Sequence, residues 1–450
     1  MKRILLTTHQ FFPQYAAGTE VLTLSVAKEL IRRGHRVHIL TGQPSSVDML
    51  EEDRIDEYDF EGIHVYRFHH AYTPMAGQVS MVEIGYDNQL AADFFVQILE
   101  KFKPEVVHFF HLNRLGTGLI ERTVRAGIPA FLTPTDFWTI CPTGQLVFSD
   151  GGTCSGPSAY AGNCVKHIAQ NTKKGLVSKV AQWLPVVCAD TLVRLTRSGI
   201  MPQYPLQLEV QAISSRLSTN ITRLNQLRRI VSPSSFMTEK LIQHGVQQNL
   251  IVQSAYGLDV SVPVREAMEL RRSSHQPIRI GFIGTLAPHK GCHVLIDAFN
   301  KLPQGQAVLS IFGNMEELTE YSSELKQQAG NKSDIEFCGA FHNSKIGEVL
   351  ANLDVLVVPS LWFENTPLVI YSAQAACCPV LASNFPGISE VIRDEINGLL
   401  FEAGNSAELT KQLSRLINEP ELVRRLSFNF QPPKSIVSYV DELLTIWVEN

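Results

Sequence analysis

The sequence predicts an α/β fold made of two domains, each with a doubly wound parallel sheet. Short continuous apolar runs, such as residues 3–8 and 354–358, are typical of strands buried on both faces of a parallel sheet. Amphipathic stretches alternate with these runs, as helices do in βα units. The chain has 450 residues, which exceeds the usual size of one core and fits two domains of roughly 200 residues each.

The composition describes a globular protein with a large interior. Apolar residues make up 44% of the chain and charged residues 18%, so a disordered or fibrous protein is excluded. No apolar run approaches the ~18 residues that span a bilayer, and the first residues lack the features of a signal peptide. We therefore expect a cytoplasmic protein. Eight cysteines are scattered along the chain, a pattern unlike a secreted disulfide framework.

The first domain is expected to cover residues 1–255 and opens with a βαβ unit. A strand at 3–8 is followed by a helix over 19–33, which Gly34 ends, and by a strand at 36–41. The dinucleotide fingerprint G-x-G-x-x-G is missing from this unit, which argues against a nicotinamide or flavin enzyme. Further strands are predicted at 105–110, 128–133 and 229–232, with helices at about 115–126 and within 232–245.

A long loop at 138–169 contains three cysteines and a histidine: Cys141, Cys154, Cys164 and His167. Loops of this length are usually functional or held by additional interactions. The spacing of Cys164 and His167 is that of a metal-ligand knuckle, and three cysteines with one histidine form an accepted structural zinc set. The spacing of the other two cysteines is irregular, so free buried thiols are the alternative.

Residues 165–230 are predicted to form a basic helical insertion in the first domain. Ten lysines and arginines are balanced there only by Asp190 and Glu209, although the whole chain has a formal net charge of −5. Interleaved apolar residues favour amphipathic helices with a basic edge. Such an edge suits an anionic membrane surface, and solvated helix faces are the alternative. Nucleic acid is not expected as a partner, because no known nucleic-acid module accompanies the charge.

A polar segment at 256–277 is predicted as the linker, and the second domain is expected to cover 278–430. Its first strand, 279–283, is followed by Lys290 at the start of the next helix. A final helix within 431–450 is expected to cross back and pack on the first domain. Other strands of the second domain are predicted at 308–313, 335–341, 354–358 and 379–383.

The corner after the strand at 354–358 carries the strongest candidate site. Its loop contains Glu364 and Asn365. Thr366 and Pro367 then fit a helix N-cap and a first helical position. Glu364 is therefore expected beside free N–H groups at the carboxyl end of a parallel strand. Ligands bind at such ends in open α/β sheets, and the helix dipole favours phosphate. A purely structural corner is the alternative.

The segment PSLWFENTPLVI, followed by a helix and by PVLAS, resembles the signature of the retaining nucleotide-sugar glycosyltransferases of family 4. The resemblance implies the GT-B fold, in which two Rossmann-like domains face a cleft, and it implies that Glu364 lies near the transferred sugar. Relatives have a second Glu that binds the nucleotide ribose and a glycine before the following strand. This chain has Ser372 and Cys377 at those positions. The resemblance covers nearly the whole chain and is strong in residues 279–400.

The same resemblance assigns further residues to the donor and acceptor sides. Gly18 matches a glycine-rich loop near the donor phosphate, and Lys290 suits diphosphate binding as a point charge. Thr285 replaces an arginine, and Thr135 replaces a sugar-contacting histidine, that many relatives use. Any acid or base role then falls to water, the substrate or Asp136. The implied site residues are Gly18, Gly284, Thr285, Lys290, Asn365, Thr366, Leu368 and Ser372 for donor binding, His111 and Thr135 on the acceptor side, and Glu364 and Asp136 for catalysis.

The resemblance implies a retaining hexosyltransferase-type glycosyltransferase that moves a sugar from a nucleoside diphosphate sugar to a hydroxyl acceptor. Bacterial cell-surface polysaccharide or glycolipid synthesis is the expected role, and a lipid-linked acceptor is one candidate. The enzyme would then work in the cytoplasm or on the inner face of the membrane. No cofactor is expected for catalysis, because Lys290 can neutralise the departing diphosphate and no Asp-rich metal motif is present.

A second hypothesis is a partner subunit of the GT-B fold that binds nucleotide sugars with weak or no turnover. The replacements at Thr135, Thr285 and Ser372 motivate it. A GT-B epimerase or phosphorylase is less favoured, because the sequence reveals neither the acid and base pair of the former nor the cofactor-binding lysine of the latter.

Overall fold

The chain divides into two compact units. The computed structural model describes residues 1–148, 151–172, 179, 183–259, 277–429 and 432–448. Unit 1 consists of Met1–Ala255 together with Val440–Asn450, and unit 2 is Tyr256–Tyr439. Most of the predicted linker, residues 260–276, lies outside the described residues.

Unit 1 is built on one eight-stranded sheet. Its strands are β1 (Arg3–Thr8), β2 (Arg36–Pro44), β3 (Ile55–Phe60), β4 (Ile63–His70), β5 (Val106–Phe109), β6 (Ala130–Leu132), β7 (Arg229–Ser232) and β8 (Ile251–Gln253). They follow the spatial order β3-β4-β2-β1-β5-β6-β7-β8. Only β3 is antiparallel to its neighbour. The central β1 and β5 are buried along almost their whole length, as their apolar sequences predict.

Eight helices connect or flank these strands in the described part of unit 1. They are α1 (Gly18–Arg32), α2 (Met81–Tyr86), α3 (Gln89–Phe102), α4 (Gly118–Arg125), α5 (Gly162–Thr172), α6 (Val186–Arg197), α7 (Gln207–Leu224) and α8 (Ser235–Gln243). The sequence analysis did not identify the hairpin β3–β4 or the helices α2 and α3. Strand β3 lies at the sheet edge with alternate residues exposed, and its acidic sequence IDEYDF lacks the continuous apolar run of a buried strand.

The predicted basic insertion at 165–230 is helical in its described parts, but two of its basic residues are not on a surface. Arg216 is buried and donates hydrogen bonds to the carbonyl oxygens of Trp138 and Ile140. Arg223 is also buried and forms an ion pair with Asp87 at 3.0 Å. Both guanidinium groups therefore stabilise the interior of unit 1. They do not contribute to the basic edge that the sequence predicts.

The C-terminal segment completes unit 1. Helix α16 (Ile436–Ile446) includes residues of both units, and Val440 begins the part assigned to unit 1. Beyond the helix, the Trp447 indole N–H donates to His108 Nδ1 at 3.0 Å, inside the unit. Ser254 donates a hydrogen bond of 2.5 Å to the Glu442 carboxylate. These contacts bind the end of the chain to β5 and to the segment after β8.

Unit 2 is built on a six-stranded sheet in which every pair of neighbours is parallel. Its strands are β9 (Ile278–Ile283), β10 (Ala307–Phe312), β11 (Ile335–Gly339), β12 (Val355–Val358), β13 (Val380–Ser383) and β14 (Gly398–Phe401), in the order β11-β10-β9-β12-β13-β14. The connecting helices are α9 (Cys292–Asn300), α10 (Thr319–Ala329), α11 (Ile346–Ala351), α12 (Leu368–Ala375), α13 (Pro386–Ser389), α14 (Ser406–Asn418) and α15 (Pro420–Phe428).

The sheet of unit 2 separates two apolar cores. Alternate residues of β12 enter opposite cores, Val355 and Val357 one of them and Leu356 and Val358 the other. A strand buried on both faces requires an unbroken apolar run, which is why this one was recognisable in the sequence. Two α/β units with doubly wound parallel sheets confirm the predicted fold class. In the portion of the chain that the structure describes, no helix has the length and apolar character to cross a membrane.

The connection from α12 to β13 contains a residue with a strained backbone conformation. The helix ends at Ala375, and Cys377 has a φ of 51°. That left-handed conformation costs an L-residue roughly 1–2 kcal/mol and suits glycine. The structure therefore gives a physical reason for the glycine that relatives have at this position.

Replacing Cys377 by glycine is expected to raise the free energy of unfolding by about 0.5–1 kcal/mol, because relief of the strain exceeds the entropy that glycine adds to the unfolded chain. Denaturant unfolding followed by circular dichroism measures the change. Cys338→Gly in the extended strand β11 is the matched control and should lower stability instead. Equal losses in both variants would contradict the assignment of strain to Cys377.

Candidate functional site

The candidate site of unit 2 lies where the order of strands along the sheet reverses. The chain runs outward from β9 through β10 to β11 and then returns to place β12 on the other side of β9. Lys290 follows β9 and Glu364 follows β12. The carboxyl ends of the two strands therefore bring these residues to the topological switch point, where open α/β sheets bind ligands.

Glu364 and Lys290 form a direct ion pair at this point. The Lys290 Nζ lies 2.7 Å from Glu364 Oε1. The hydroxyl of Ser360 and the indole N–H of Trp362 donate to the same oxygen at 2.8 Å and 2.7 Å. Among the described residues, none donates to Oε2. The three donors therefore all converge on one carboxylate oxygen.

The environment keeps Glu364 ionised although the residue is only 5% exposed. Burial by itself raises the pKa of this carboxyl, but the charge of Lys290 and the hydrogen bonds from Lys290, Ser360 and Trp362 outweigh it and lower the pKa. Lys290 also stacks over the Trp362 ring at 4.7 Å, and the ring packs edge-on against His289. Burial and the neighbouring Lys290 lower the pKa of His289 to about 4, so its imidazole is neutral at pH 7.

Two glycines permit the close backbone approach on which this corner depends. A Cβ at Gly291, which has a φ of 72°, would lie 1.8 Å from the carbonyl oxygen of Pro359. A Cβ at Gly387 would lie 1.8 Å from the carbonyl oxygen of Glu364. Any larger residue would force the loop of Glu364 away from its neighbours, so both glycines position the site.

The helix starts beside the site differ from the sequence prediction. Thr366 is not the N-cap of α12: it has a φ of 54°, and its hydroxyl donates to the Gly387 carbonyl at 3.0 Å. Pro367 precedes the helix, which begins at Leu368 without a side-chain cap. Lys290 likewise does not begin a helix. It ends a short 3₁₀ helix, and α9 starts at Cys292.

The other predicted donor residues occupy varied positions in unit 2. The Asn365 amide donates to the Tyr256 hydroxyl at 3.1 Å. The Ser372 hydroxyl is buried and donates to the Leu368 carbonyl within α12. Gly284 and Thr285 follow β9 directly, and the Gly284 N–H donates to Phe312 at the end of β10.

Unit 1 has a second polar cluster at its own switch point, between β1 and β5. His111 follows β5, and its Nε2 lies 3.0 Å from Asp136 Oδ2 at an angle unsuited to a hydrogen bond. The backbone N–H of Asn113 donates to His111 Nδ1 at 3.0 Å, which assigns the ring proton to Nε2. Asp136 Oδ1 accepts from the Trp138 N–H at 2.7 Å. The Asp136 carboxylate is thus held by the Trp138 N–H beside a buried imidazole, and it remains partly exposed.

The sequence analysis missed two members of this cluster, Glu20 and His9. Glu20 lies in the first turn of α1 and is fully buried, and His9 Nδ1 is 3.7 Å from its Oε1. Neither oxygen of Glu20 accepts a well-formed hydrogen bond from the described residues. Burial raises the pKa of Glu20 to about 7, despite nearby backbone N–H groups, His111 and Gln10, which favour the charged form. A carboxylate in the otherwise apolar face of α1 was the signal available in the sequence.

Gly18 and Thr135 are connected through the start of α1. Gly18 is the first residue of the helix, and the Thr19 hydroxyl donates to Thr135 Oγ1 at 2.9 Å. Thr135 also donates to the Phe110 carbonyl at 3.3 Å. Thr135, which stands where relatives have a histidine, thus holds the start of α1 near the end of β5. Its side chain provides no titratable group.

The four residues considered for zinc line one small pocket in unit 1. In the described parts of the chain, however, no three Cys, His, Asp or Glu side chains are arranged to hold a metal ion. Cys141 instead exchanges a hydrogen bond with Thr143, and Cys154 donates to the Gly156 carbonyl. Burial raises the pKa of Cys164 to about 12, which is typical of an inert structural thiol. A structural zinc site formed by Cys141, Cys154, Cys164 and His167 stays a prediction.

Comparisons with known proteins identify both halves of the chain. Residues 17–171 match the family described as Glycosyl transferase 4-like domain, and residues 265–431 match Glycosyl transferases group 1. The amylovoran biosynthesis glycosyltransferase AmsK of Erwinia amylovora is 29% identical over 41% of this chain and 46% of its own length. A GDP-mannose-dependent alpha-mannosyltransferase of Corynebacterium glutamicum is 30% identical over 40% of this chain and 41% of its own. The chain spans about half the length of the curated relatives it matches.

Solved structures confirm the fold over the whole chain. Anabaena HepE, crystallised with UDP and glucose, superposes with a TM-score of 0.65 over 99% of both chains at 18% identity. The lipopolysaccharide glycosyltransferase WaaG superposes with a TM-score of 0.57 over 97% of this chain and 95% of its own at 15% identity. Together with the matching families, these structures confirm the predicted resemblance to GT-B glycosyltransferases of family 4.

The buried carboxyl of Glu20 predicts a pH-dependent stability. Its pKa rises from 4.5 to about 7 on folding, so its neutral form stabilises the protein below pH 4.5 and this contribution is lost as the pH rises to about 7. The loss amounts to about 3 kcal/mol at ~1.4 kcal/mol per pKa unit. Glu20→Gln should therefore match the wild type at pH 4.5 and unfold at a clearly higher temperature at pH 8.

Calorimetry at several pH values measures this difference. Glu52→Gln, at an exposed position, is the control and should show no such pH dependence. A Glu20→Gln variant with the same difference from wild type at pH 4.5 and pH 8 would mean that Glu20 does not change its pKa on folding.

Proposed function

Because the chain belongs to the group 1 glycosyltransferases and has a glycosyltransferase 4-like domain, we propose that it transfers a sugar from a nucleoside diphosphate sugar to a hydroxyl acceptor with retention. The observation that carries this proposal is the ion pair between the half-buried Lys290 and the buried Glu364 at the β9/β12 switch point. A cation and an ionised carboxylate side by side match the two charged regions of a departing diphosphate and a sugar with developing positive charge.

The donor site is assigned to unit 2. Lys290 is a point charge suited to a diphosphate, and the N–H groups at the start of α9 add a favourable dipole. The free Oε2 of Glu364 is suited to accept a sugar hydroxyl. HepE binds UDP and glucose and the Corynebacterium relative uses GDP-mannose, so these two donors are the first to test.

Transfer breaks the bond between the anomeric carbon and the diphosphate oxygen and forms a bond from that carbon to the acceptor oxygen. The electron pair leaves with the diphosphate, whose added charge Lys290 stabilises. The acceptor hydroxyl loses its proton to the departing phosphate oxygen. Glu364 stays ionised and stabilises positive charge on the sugar ring, which increases in an oxocarbenium-like transition state.

The acceptor is proposed to belong to cell-surface polysaccharide or glycolipid synthesis. AmsK functions in amylovoran biosynthesis, which supports a growing saccharide as acceptor. No catalytic metal is included in the proposal, since Lys290 and the helix N-terminus supply positive charge at the diphosphate position.

Substitutions of the ion pair are expected to separate donor binding from transfer. Lys290→Gln should weaken binding of UDP or GDP by roughly tenfold to 100-fold, because it removes a charge-assisted contact worth about 1.5–3 kcal/mol. Glu364→Gln should keep nucleoside diphosphate binding and lower transfer by roughly 100-fold or more, because the neutral amide cannot stabilise the sugar cation. Isothermal titration and a donor-hydrolysis or transfer assay measure the two effects.

The exposed ion pair Asp297–Lys301 in α9 supplies the control. Asp297→Asn/Lys301→Gln should change neither binding nor transfer. Wild-type affinity in Lys290→Gln would contradict the donor site. Donor binding by the wild type without hydrolysis or transfer to any saccharide acceptor would identify the chain as a non-catalytic partner subunit instead.

A further inference from the structure

A surface of unit 1 between Trp183 and Leu208 combines exposed apolar and basic side chains. It contains seven of the 21 exposed large apolar residues in the described parts of the chain: Trp183, Val186, Val187, Leu192, Ile200, Leu206 and Leu208. Trp183, Val187 and Ile200 are 85%, 77% and 74% exposed. Clustering of this kind is unusual, because soluble surfaces carry such residues singly. We call this segment, residues 183–208, the apolar-basic surface.

Helix α6 presents the centre of this surface. Ala189, Val193 and Thr196 form its buried face, at helical spacings of four and three residues. Val187 and Arg194 are seven residues apart, two turns along the opposite, exposed face. The packed side of the helix therefore fixes its rotation, and its outward side alternates apolar and basic groups.

The two acidic residues of this region point away from the surface. Asp190 accepts hydrogen bonds from the Ser158 hydroxyl at 2.7 Å and the Gly162 N–H at 2.8 Å, at the start of α5. Glu209 accepts from the Ser80 hydroxyl at 2.7 Å and from the backbone N–H groups of Met81 and Val82, which begin α2, at 3.0 Å each. Both carboxylates thus stabilise helix N-termini inside unit 1.

The exposed charges that remain in the described part of this region are basic. Lys179, Arg194 and Arg197 are all exposed. The positive potential is therefore not cancelled locally, although the whole chain carries a formal net charge of −5. Because the acidic groups of this region point inward, the surface itself is apolar and positively charged. It therefore complements a partner that is both apolar and negatively charged.

We propose that the apolar-basic surface docks onto a bilayer containing anionic lipid. Trp183 and the aliphatic residues would enter the headgroup region, and Arg194 and Arg197 would contact lipid phosphates. Docking of this kind keeps the chain on the membrane without crossing it, in agreement with the lack of a spanning helix in the described residues. It deepens the proposed function, since an enzyme held at the lipid surface meets lipid-linked saccharide acceptors there.

Vesicle co-sedimentation of the full chain tests this docking without any donor or acceptor. The protein should sediment with vesicles of phosphatidylglycerol and phosphatidylcholine, and binding should fall at least roughly tenfold with phosphatidylcholine alone or in high salt. Trp183→Ser/Val187→Ser and Arg194→Gln/Arg197→Gln should each weaken binding to anionic vesicles by roughly tenfold or more.

Matched control variants remove similar side chains elsewhere. Val47→Ser/Leu50→Ser removes two exposed apolar residues outside the surface, and Arg228→Gln/Lys411→Gln removes two exposed cations; both should bind vesicles as the wild type does. Near-UV circular dichroism verifies that every variant is folded. Donor titration should give the same affinity in all of them, so a failure of membrane docking is distinguishable from a failure of the donor site.

Three outcomes would overturn the proposal. The wild type could remain unbound to anionic vesicles, or it could bind neutral and anionic vesicles equally. Alternatively, light scattering could reveal a dimer that Trp183→Ser/Val187→Ser dissociates, with no vesicle binding, which would make the apolar-basic surface an interface between two copies of the chain.

Discussion

A buried carboxylate stays charged only when donors surround it, and this requirement organises the candidate donor site. Glu364 receives an ammonium, a hydroxyl and an indole N–H on one oxygen. The three donors come from two loops that follow neighbouring parallel strands, so the sheet order itself is needed to assemble them. Gly291 and Gly387 let the backbones approach closely enough for these contacts. The ion pair is therefore the product of fold, loop and glycine positions together.

Unit 1 also has polar residues at the switch point of its sheet, but its buried carboxyl is in a different electrostatic environment. His111 and Asp136 also follow parallel strands at a switch point, but the second acid of the cluster, Glu20, accepts no well-formed hydrogen bond from the described residues. Burial therefore shifts the pKa of Glu20 upward, whereas Lys290 shifts that of Glu364 downward. At pH 7 the Glu20 carboxyl is therefore about half protonated, whereas that of Glu364 is ionised. Under the proposed function, the ionised Glu364 of unit 2 is the carboxylate suited to stabilise positive charge.

The sequence predicted what depends on local patterns and missed what depends on distant contacts. Apolar runs identified the parallel strands, and the strand-loop-helix corners placed Lys290 and Glu364 at strand ends that proved to be neighbours. Thr366 has the residue type of an N-cap, yet contact with Gly387 holds it in a left-handed conformation. Arg216 looked like a surface cation, but loop carbonyl groups from residues far away in sequence bind it in the interior. Glu20 was missed because its lack of partners is a property of the packed unit.

The account depends most on the claim that a nucleoside diphosphate sugar binds at the carboxyl ends of β9 and β12. A crystal structure of the protein with the donor it binds most tightly tests this directly. We predict a diphosphate oxygen within about 3 Å of Lys290 Nζ and the sugar against the Glu364 carboxylate. A nucleotide bound at another surface, with the 2.7 Å contact between Lys290 and Glu364 unchanged, would contradict the account.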